Sequence, residues 1–468
     1  SFILYLIIGI YIAGDFIVTP DEPLHRINGF ISLKYILNLL NFSGEGYENL
    51  NTIPDLHNDW RKTYGVLFDL PFAAYEYFFN IDTKNIFSQK HYANFLIFYI
   101  STIFFYKISL NLTSNKFLSL IGVIFLISTP RIFSHSFYNS KDLLFLSLII
   151  ISIYFCIKLI QKVSLKYLFF SAVFCAFASS IRIIGIYLPL LTLLFLYFKD
   201  QNKKDNFSYL KILSFYLSFL LGCLYIVYPF LWNDPISNFF TILKESTTYP
   251  NHWDFNILYF GKYINPENLP WHYFFVWFLI TTPIFFVILI SLSLINFLKN
   301  YLIFFLKIDF KKISLWNNKT QMVSLFIFLN IFIPLFFVIT LNSTLYNGWR
   351  HLYFVYPSMI LLSIIYLKEI MFTFQKIYKI FFIMFFFQFI NNCYFIYKAH
   401  PLQNIYFNYI SKSFINGNFP IDYWGLGNKK TIDYLLKKKK NFSISTSSYI
   451  QLENLKYYKS EINYMNII

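Results

Sequence analysis

Two adjacent carboxylic acids, Asp21 and Glu22, follow an apolar stretch at residues 1–18. Ionised groups beside a membrane span are costly unless they have a partner or a function. A pair at this depth could remove a proton from a hydroxyl, hold a metal ion or stabilise a cation. Asp142 is a third acid, placed at the start of another apolar run. Capping of a helix by its carboxylate would also explain Asp142.

Cationic side chains occur at comparable positions. Arg182 lies between two short apolar stretches with isoleucine on either side, and an arginine there needs a carboxylate, a phosphate or a lipid head group. Arg350 and His351 open a further apolar run, just after Tyr346, where the N–H groups of a helix start also suit a phosphate. Contact with lipid head groups is the alternative. His272 has aromatic neighbours at a span entrance, which indicates either a polar site or an interfacial anchor.

The composition predicts an integral membrane protein that is all-α and polytopic, since 57% of residues are hydrophobic and only 13% are charged. Apolar runs of about 16 to 22 residues match the length that crosses the hydrocarbon of a bilayer. Eleven such runs occur, at about 1–18, 92–107, 117–131, 142–160, 166–181, 183–198, 209–229, 273–296, 321–341, 352–368 and 378–397.

The charges predict an orientation for these spans. Alternate connections carry 17 lysines and only four acids, which by the positive-inside rule makes them cytoplasmic. The net charge of +16 is therefore mostly a topology signal and requires no nucleic acid. The long loops 19–91 and 230–272 are then exterior, together with every histidine and every tryptophan except Trp316. We expect a multi-pass protein of a bacterial inner membrane whose site faces the exterior.

Two regions follow from this pattern: a transmembrane domain at 1–397 and a small exterior C-terminal region at 398–468. Within the first exterior loop, residues 66–80 have the pattern of an amphipathic helix lying in the membrane interface, or of one that merely caps the bundle. From Asn441 onward, alternation of serine and tyrosine predicts short strands in an α/β appendage.

Together these side chains predict an exterior cavity. Its acids (Asp21, Glu22 and Asp142) face its cations, Arg182 and Arg350 with His351. Such a charge pattern suits transfer between a nucleophile and an anionic leaving group such as a lipid phosphate. A carboxylate would activate the acceptor and the arginines would stabilise the departing phosphate. No cofactor is required; a divalent metal could bridge the two, but no ligand spacing predicts one.

At this point the chain resembles GT-C glycosyltransferases, and among them family 39, the protein O-mannosyltransferases and the lipid A aminoarabinose transferases. The resemblance covers roughly residues 1–400 and depends on the order of motifs along the spans. It implies that Asp21 is the catalytic aspartate, Glu22 its partner and Asp142 the second acid, with Arg350 and His351 near the donor phosphate. It also implies a polyprenyl-phosphate-linked sugar donor within a membrane of lipids. The chain lacks a MIR-type insertion and a clear aminoarabinose signature, so the acceptor stays open among lipid, glycan and protein.

Two other functions remain as alternatives. A polysaccharide ligase or polymerase would use a similar lipid-linked donor, but its site is usually led by arginine and histidine rather than by an early acidic pair. A transporter would place its charges near mid-membrane and show internal repeats. No repeat is found, and the ionisable residues cluster at one membrane edge.

Overall fold

A computed structural model describes residues 2–42, 44, 47–200, 206–247, 256–306, 315–409 and 412–438. These residues form mostly α-helices, with one antiparallel pair of short strands, β1 (Ile257–Tyr259) and β2 (Lys262–Ile264). The helices in chain order are α1 Phe2–Ile12, α2 Asp21–Leu39, α3 Asp69–Phe79, α4 Thr83–Thr113, α5 Lys116–Ile127, α6 Pro130–Tyr138, α7 Asp142–Gln161, α8 Leu165–Ile181, α9 Tyr187–Asp200, α10 Asn206–Val227, α11 Pro235–Thr247, α12 Tyr273–Thr281, α13 Ile284–Leu306, α14 Lys319–Thr340, α15 Tyr356–Thr373, α16 Gln375–Ala399, α17 Lys412–Ile415 and α18 Asn428–Lys438.

The predicted all-α polytopic membrane protein is confirmed. Seven helices of the described residues are long and apolar enough to cross a membrane, namely α4, α7, α10, α13, α14, α15 with the turn before it, and α16. The bent pair of α5 and α6, which meet at 69°, makes an eighth candidate. Three further apolar helices are shorter, at the start of the chain and in the pair on either side of Arg182. Each predicted run therefore coincides with an apolar helix, but the count of eleven spans is not confirmed.

One predicted span is divided. The run at 273–296 becomes α12, which ends at Thr281, and α13, which begins at Ile284. Thr282 adopts an extended conformation because it precedes Pro283, and a residue before proline is disfavoured in the helical region. The apolar pattern alone could not show this break.

Helix α7 is at the centre of the bundle. Within its most apolar 18-residue stretch, 89% of the residues are buried. It packs against α4, α8, α9 and the 3-10 turn Arg350–Val355. Its serines do not need outside partners, because Ser147 and Ser152 donate to the carbonyls of Leu143 and Leu148 one turn earlier. The start of α7 places Asp142 next to Arg350, in the turn that precedes α15.

The first long loop contains two helices. α3 agrees with the amphipathic helix predicted at 66–80: it buries Ala73 and Glu76 and exposes Phe78 and Phe79. The helix α2 packs against it, and Arg26 of α2 donates from Nε and Nη2 to the carboxylate of Glu76 at 2.8 and 2.5 Å. This ion pair holds the loop as a folded layer beside the bundle.

The chain after α16 returns to the bundle. Arg131 of α6 donates from Nε to the carbonyl oxygen of Tyr406 at 2.9 Å. Trp424 and Leu426 are buried in a cluster with Phe16 and Phe137. The described part of the predicted C-terminal region thus packs on the transmembrane helices, while the strands predicted from Asn441 onward lie outside the described residues.

Candidate active site

Four charged side chains meet where the ends of α2, α7 and α8 approach the turn before α15. Arg350 Nη1 donates to Asp21 Oδ2 at 2.9 Å and to Asp142 Oδ2 at 3.3 Å. Arg182 Nη2 donates to Asp142 Oδ1. We refer to Asp21, Asp142, Arg182 and Arg350 as the acid–arginine cluster. The expected arrangement, with acids on one side of a cavity and cations on the other, is wrong in detail, because the acids and arginines are directly paired.

The members of the cluster differ in exposure. The side chains of Asp142 and Arg350 are 0% and 4% exposed, whereas those of Asp21 and Arg182 are 24% and 29% exposed. The Nε atoms of both arginines are buried and have no hydrogen-bond partner among the described residues. A buried ion pair thus supports one accessible acid and one accessible cation, with N–H groups left to donate.

Asp142 is held at every side. Asn139 Nδ2 donates to Asp142 Oδ2 at 2.9 Å, and Asn139 Oδ1 accepts from the backbone N–H of Asp142 at 2.8 Å. Both carboxylate oxygens therefore already accept from protein donors. Asp142 orients the two arginines and has little remaining capacity to accept a hydrogen bond from a substrate.

A second charged group fixes the first loop against the cluster. The buried carboxylate of Asp69 is 2.7 Å from Lys90 Nζ and 3.4 Å from Lys141 Nζ. Burial alone would raise the pKa of Asp69, but Lys90 and Lys141 outweigh it and hold that pKa below its usual value. Burial lowers the pKa of Lys141, and Asp69 opposes that shift. Since Lys141 directly precedes Asp142, this ion pair joins α3 to the base of the site.

Gly65 allows a close approach at the same place. A Cβ at this position would lie 1.4 Å from the carbonyl oxygen of Ser180, near the end of α8. Any side chain at position 65 would push the first loop away from Ser180 and therefore from Arg182, two residues after Ser180. The glycine therefore belongs to the architecture of the site.

Glu22 does not join the cluster, although it is adjacent to Asp21. Its Oε2 accepts from the backbone N–H and the hydroxyl of Thr19 at 2.6 and 3.0 Å, and its Oε1 is 2.8 Å from His91 Nε2. Neighbouring residues on a helix point about 100° apart. Glu22 thus bonds to Thr19, just before α2, and ties this helix start to α4, which is a positioning role for Asp21.

We expect Glu22→Ala to destabilise the protein by about 2 kcal/mol, because the buried hydrogen bonds from Thr19 are lost and His91 is left without this partner. Unfolding in detergent, followed by circular dichroism, measures this. Glu267→Ala, at an exposed acid in another loop, is the control and should change nothing. Full stability together with loss of activity in Glu22→Ala would instead indicate direct contact with substrate.

Of the other predicted site residues, some contact the acid–arginine cluster and one does not. Tyr346 lies at the cluster, with its ring 4.9 Å from the Arg350 guanidinium. His351 packs edge-on against Tyr346 at 4.5 Å between ring centroids, and its buried Nε2 has no hydrogen-bond partner among the described residues. Both Arg350 and His351 belong to a 3-10 turn rather than to the first turn of an α-helix. His272 has a different partner: its Nδ1 is 2.8 Å from the hydroxyl of Tyr259.

Several residues at the site were not predicted from the sequence. His25, one turn after Asp21 on α2, has Nδ1 3.4 Å from the hydroxyl of Ser140. Burial lowers the pKa of His25 to about 4, with Lys141 adding to the shift, so its ring is neutral at neutral pH. Tyr423 and Trp424 also reach the site from the C-terminal region. In the sequence, the only indication of a site role for Tyr423 and Trp424 was the mixture of aromatic and polar residues around them.

Within the described residues, no group of three or more His, Cys, Asp or Glu side chains is arranged to hold a metal ion.

The fold and site define a polytopic helical membrane protein with an acid–arginine cluster at one end of its bundle. Residues 74–232 match the family model described as dolichyl-phosphate-mannose-protein mannosyltransferase. Over this segment, about a third of the chain, the predicted resemblance to the protein O-mannosyltransferases is found again. The matched segment contains Asp142 and Arg182 but neither Asp21 nor Arg350.

Comparison with solved structures gives a match to the crystal structure of ArnT from Cupriavidus metallidurans bound to undecaprenyl phosphate. The sequence identity is 12%, the TM-score is 0.45, and the match covers 78% of this chain and 59% of that one. This chain thus spans somewhat over half the length of that protein. None of the curated proteins compared with the chain matches it significantly.

Proposed function

We propose that the protein is a glycosyltransferase that moves a sugar from a polyprenyl-phosphate-linked donor to an acceptor at the exterior membrane face. One observation carries this proposal: the accessible acid Asp21 and the accessible cation Arg182 are joined through the buried pair of Asp142 and Arg350, Asp21 by its contact with Arg350 and Arg182 by its contact with Asp142. An accessible acid can activate a nucleophile. An accessible arginine can bind the phosphate that departs.

Arg182 and Arg350 are the donor-phosphate ligands in this proposal. The cluster contains two acids and two arginines, so it is electrically balanced before substrate arrives. The Nε groups of both arginines are buried and have no hydrogen-bond partner among the described residues, so each arginine retains donor capacity beyond its contacts with the carboxylates. As the lipid phosphate engages Arg350, that arginine turns part of its donor capacity away from Asp21. The carboxylate of Asp21 then becomes available to accept a proton.

The transfer is a substitution at the anomeric carbon of the sugar. The oxygen of an acceptor hydroxyl attacks the anomeric carbon of the sugar, and the bond from that carbon to the phosphate oxygen breaks. The bonding electrons leave with the polyprenyl phosphate, and the hydroxyl proton passes to Asp21. Arg182 and Arg350 stabilise the charge that develops on the phosphate, an effect typically worth about 10²- to 10³-fold in rate.

The sidedness and cellular place are part of the proposal. The concentration of lysine in alternate connections supports an exterior site, and a bacterial inner membrane would provide the polyprenyl phosphate carrier. The description of the matched family, which uses dolichyl-phosphate mannose, supports a polyprenyl-phosphate sugar as donor class.

Purified protein in detergent, incubated with a panel of polyprenyl-phosphate sugars and membrane-derived acceptors, tests the proposal. We expect one donor to release polyprenyl phosphate in an acceptor-dependent manner. Binding of polyprenyl phosphate, compared with the uncharged polyprenol, is the matched control for the phosphate site. Equal affinity for the two lipids, or turnover only with nucleotide sugars, would contradict the proposal.

A further inference from the structure

The residues Asp422–Gly427, here named the C-terminal turn, form a compact loop against the site. The carboxylate of Asp422 accepts from the backbone N–H of Gly427 at 2.7 Å and from Asn404 Nδ2 at 2.9 Å. Gly425 has a φ of +65°, a conformation that favours glycine. The turn is therefore closed on itself and anchored to the chain segment that follows α16.

Trp424 of this turn lies on the guanidinium of Arg350. The ring centroid is 4.8 Å from Arg350 Cζ, and Tyr346 lies at 4.9 Å from the same atom. Trp424 is buried and also contacts the rings of His135 and Tyr138. Two aromatic rings packed against one guanidinium restrict its orientation. The direction in which Arg350 offers its N–H groups thus depends on this tryptophan.

Tyr423 reaches Asp142 through a chain of hydrogen bonds. The Tyr423 hydroxyl is 3.2 Å from His135 Nε2, and His135 Nδ1 is 2.9 Å from Asn139 Nδ2. The Oδ1 of Asn139 accepts from the backbone N–H of Asp142, so its Nδ2 must be the donor to both His135 Nδ1 and Asp142 Oδ2. His135 then carries its proton on Nε2 and donates it to the oxygen of Tyr423.

We infer that the C-terminal turn is a positioning element of the active site. Trp424 sets the plane of Arg350, and Tyr423 sets the carboxylate of Asp142 through His135 and Asn139. Trp424 and Tyr423 thus act on Arg350 and Asp142, the buried ion pair that orients Asp21 and Arg182. This inference rests on the proposed function for its kinetic consequences, while its geometric part stands on the contacts alone.

Kinetics of Trp424 variants test the inference. Trp424→Leu should lower kcat by about 10- to 100-fold, because a misplaced charged group forfeits its alignment with the reacting atoms. The KM for the donor should change much less. Trp424→Phe, which keeps an aromatic face towards Arg350, should retain kcat within about 3-fold. Tyr434→Leu, at an exposed aromatic residue of α18, is the matched control and should behave as wild type.

A double-mutant cycle separates failure of this inference from failure of the proposed function. Trp424→Leu, Arg350→Met and the double variant are compared by melting temperature in detergent. We expect the double variant to lose clearly less than the sum of the single losses, since the two side chains contact each other. Additive losses would overturn the inference, as would unchanged kcat in Trp424→Leu or equal loss in Trp424→Phe. If wild-type protein binds no polyprenyl phosphate, the proposed function fails and the cycle alone decides the geometric inference.

Discussion

Replacing Asp21 with asparagine is expected to lower kcat for sugar transfer by about 10²- to 10⁴-fold, the usual contribution of a general base. Asparagine has nearly the same shape as aspartate but takes up no proton at neutral pH. Asp21 is partly exposed at the start of α2, and Arg350 keeps its bond to Asp142 when the Asp21 carboxylate is neutralised. The loss should therefore appear in kcat, with a melting temperature near that of wild type.

The measurement is the initial rate of polyprenyl phosphate release with the donor that wild-type protein accepts. Asp55→Asn is the matched control, because Asp55 is a largely exposed acid in the same loop, paired with Lys34. It should retain full activity. Transfer at the wild-type rate by Asp21→Asn would eliminate Asp21 as the base and leave the cluster with a binding role only.

Arg350→Met is expected to abolish binding of polyprenyl phosphate and to destabilise the protein by about 3 to 5 kcal/mol, the range for breaking a buried ion pair. Methionine fills much of the space between Tyr346 and Trp424 but donates no hydrogen bond. Without Arg350, the cluster keeps only Arg182 to balance the two negative charges of Asp21 and Asp142. A phosphate would then add a third negative charge to an already unbalanced site.

A second substitution separates these two effects. The double variant Arg350→Met with Asp142→Asn restores the charge balance, so part of the lost stability should return while lipid-phosphate binding stays absent. Arg61→Met is the control, because Arg61 also pairs with a carboxylate, Asp59, and lies over the ring of Trp60. Thermal unfolding and binding of polyprenyl phosphate are measured on the same preparations. Retained binding in both Arg350 variants would exclude this arginine as a donor-phosphate ligand.

Much of the fold could be predicted because apolar run length and charge are local properties of a chain in a membrane. Each predicted run coincides with helical residues, although the run at 273–296 is divided into two helices, and α3 agrees with the amphipathic pattern predicted at 66–80. The number of spans could not be predicted, since a bend such as the one at Pro130 and a break such as the one at Pro283 change a helix's path without changing its hydrophobicity. Packing of short helices against neighbours decides whether they cross.

The site was predicted in part for a similar reason. Asp21, Asp142, Arg182 and Arg350 stand out because a charge at a membrane boundary is costly without a function. Glu22 carried the same signal and yet faces His91, since adjacent positions on one helix diverge. His272 had the composition of a site residue, but its hydrogen bond is to Tyr259. Composition cannot report the direction in which a side chain points.

By itself, the sequence determined that this is a helical membrane protein with acids and arginines gathered at one edge. Hydrophobicity and charge act on each segment independently, so these features are readable without the fold. Only the tertiary structure decided that Asp142 and Arg350 form a buried pair beneath Asp21 and Arg182, and that Trp424 lies over Arg350. Those relations join residues far apart in the chain, and they arise from packing and ion pairing between helices, which no local pattern encodes.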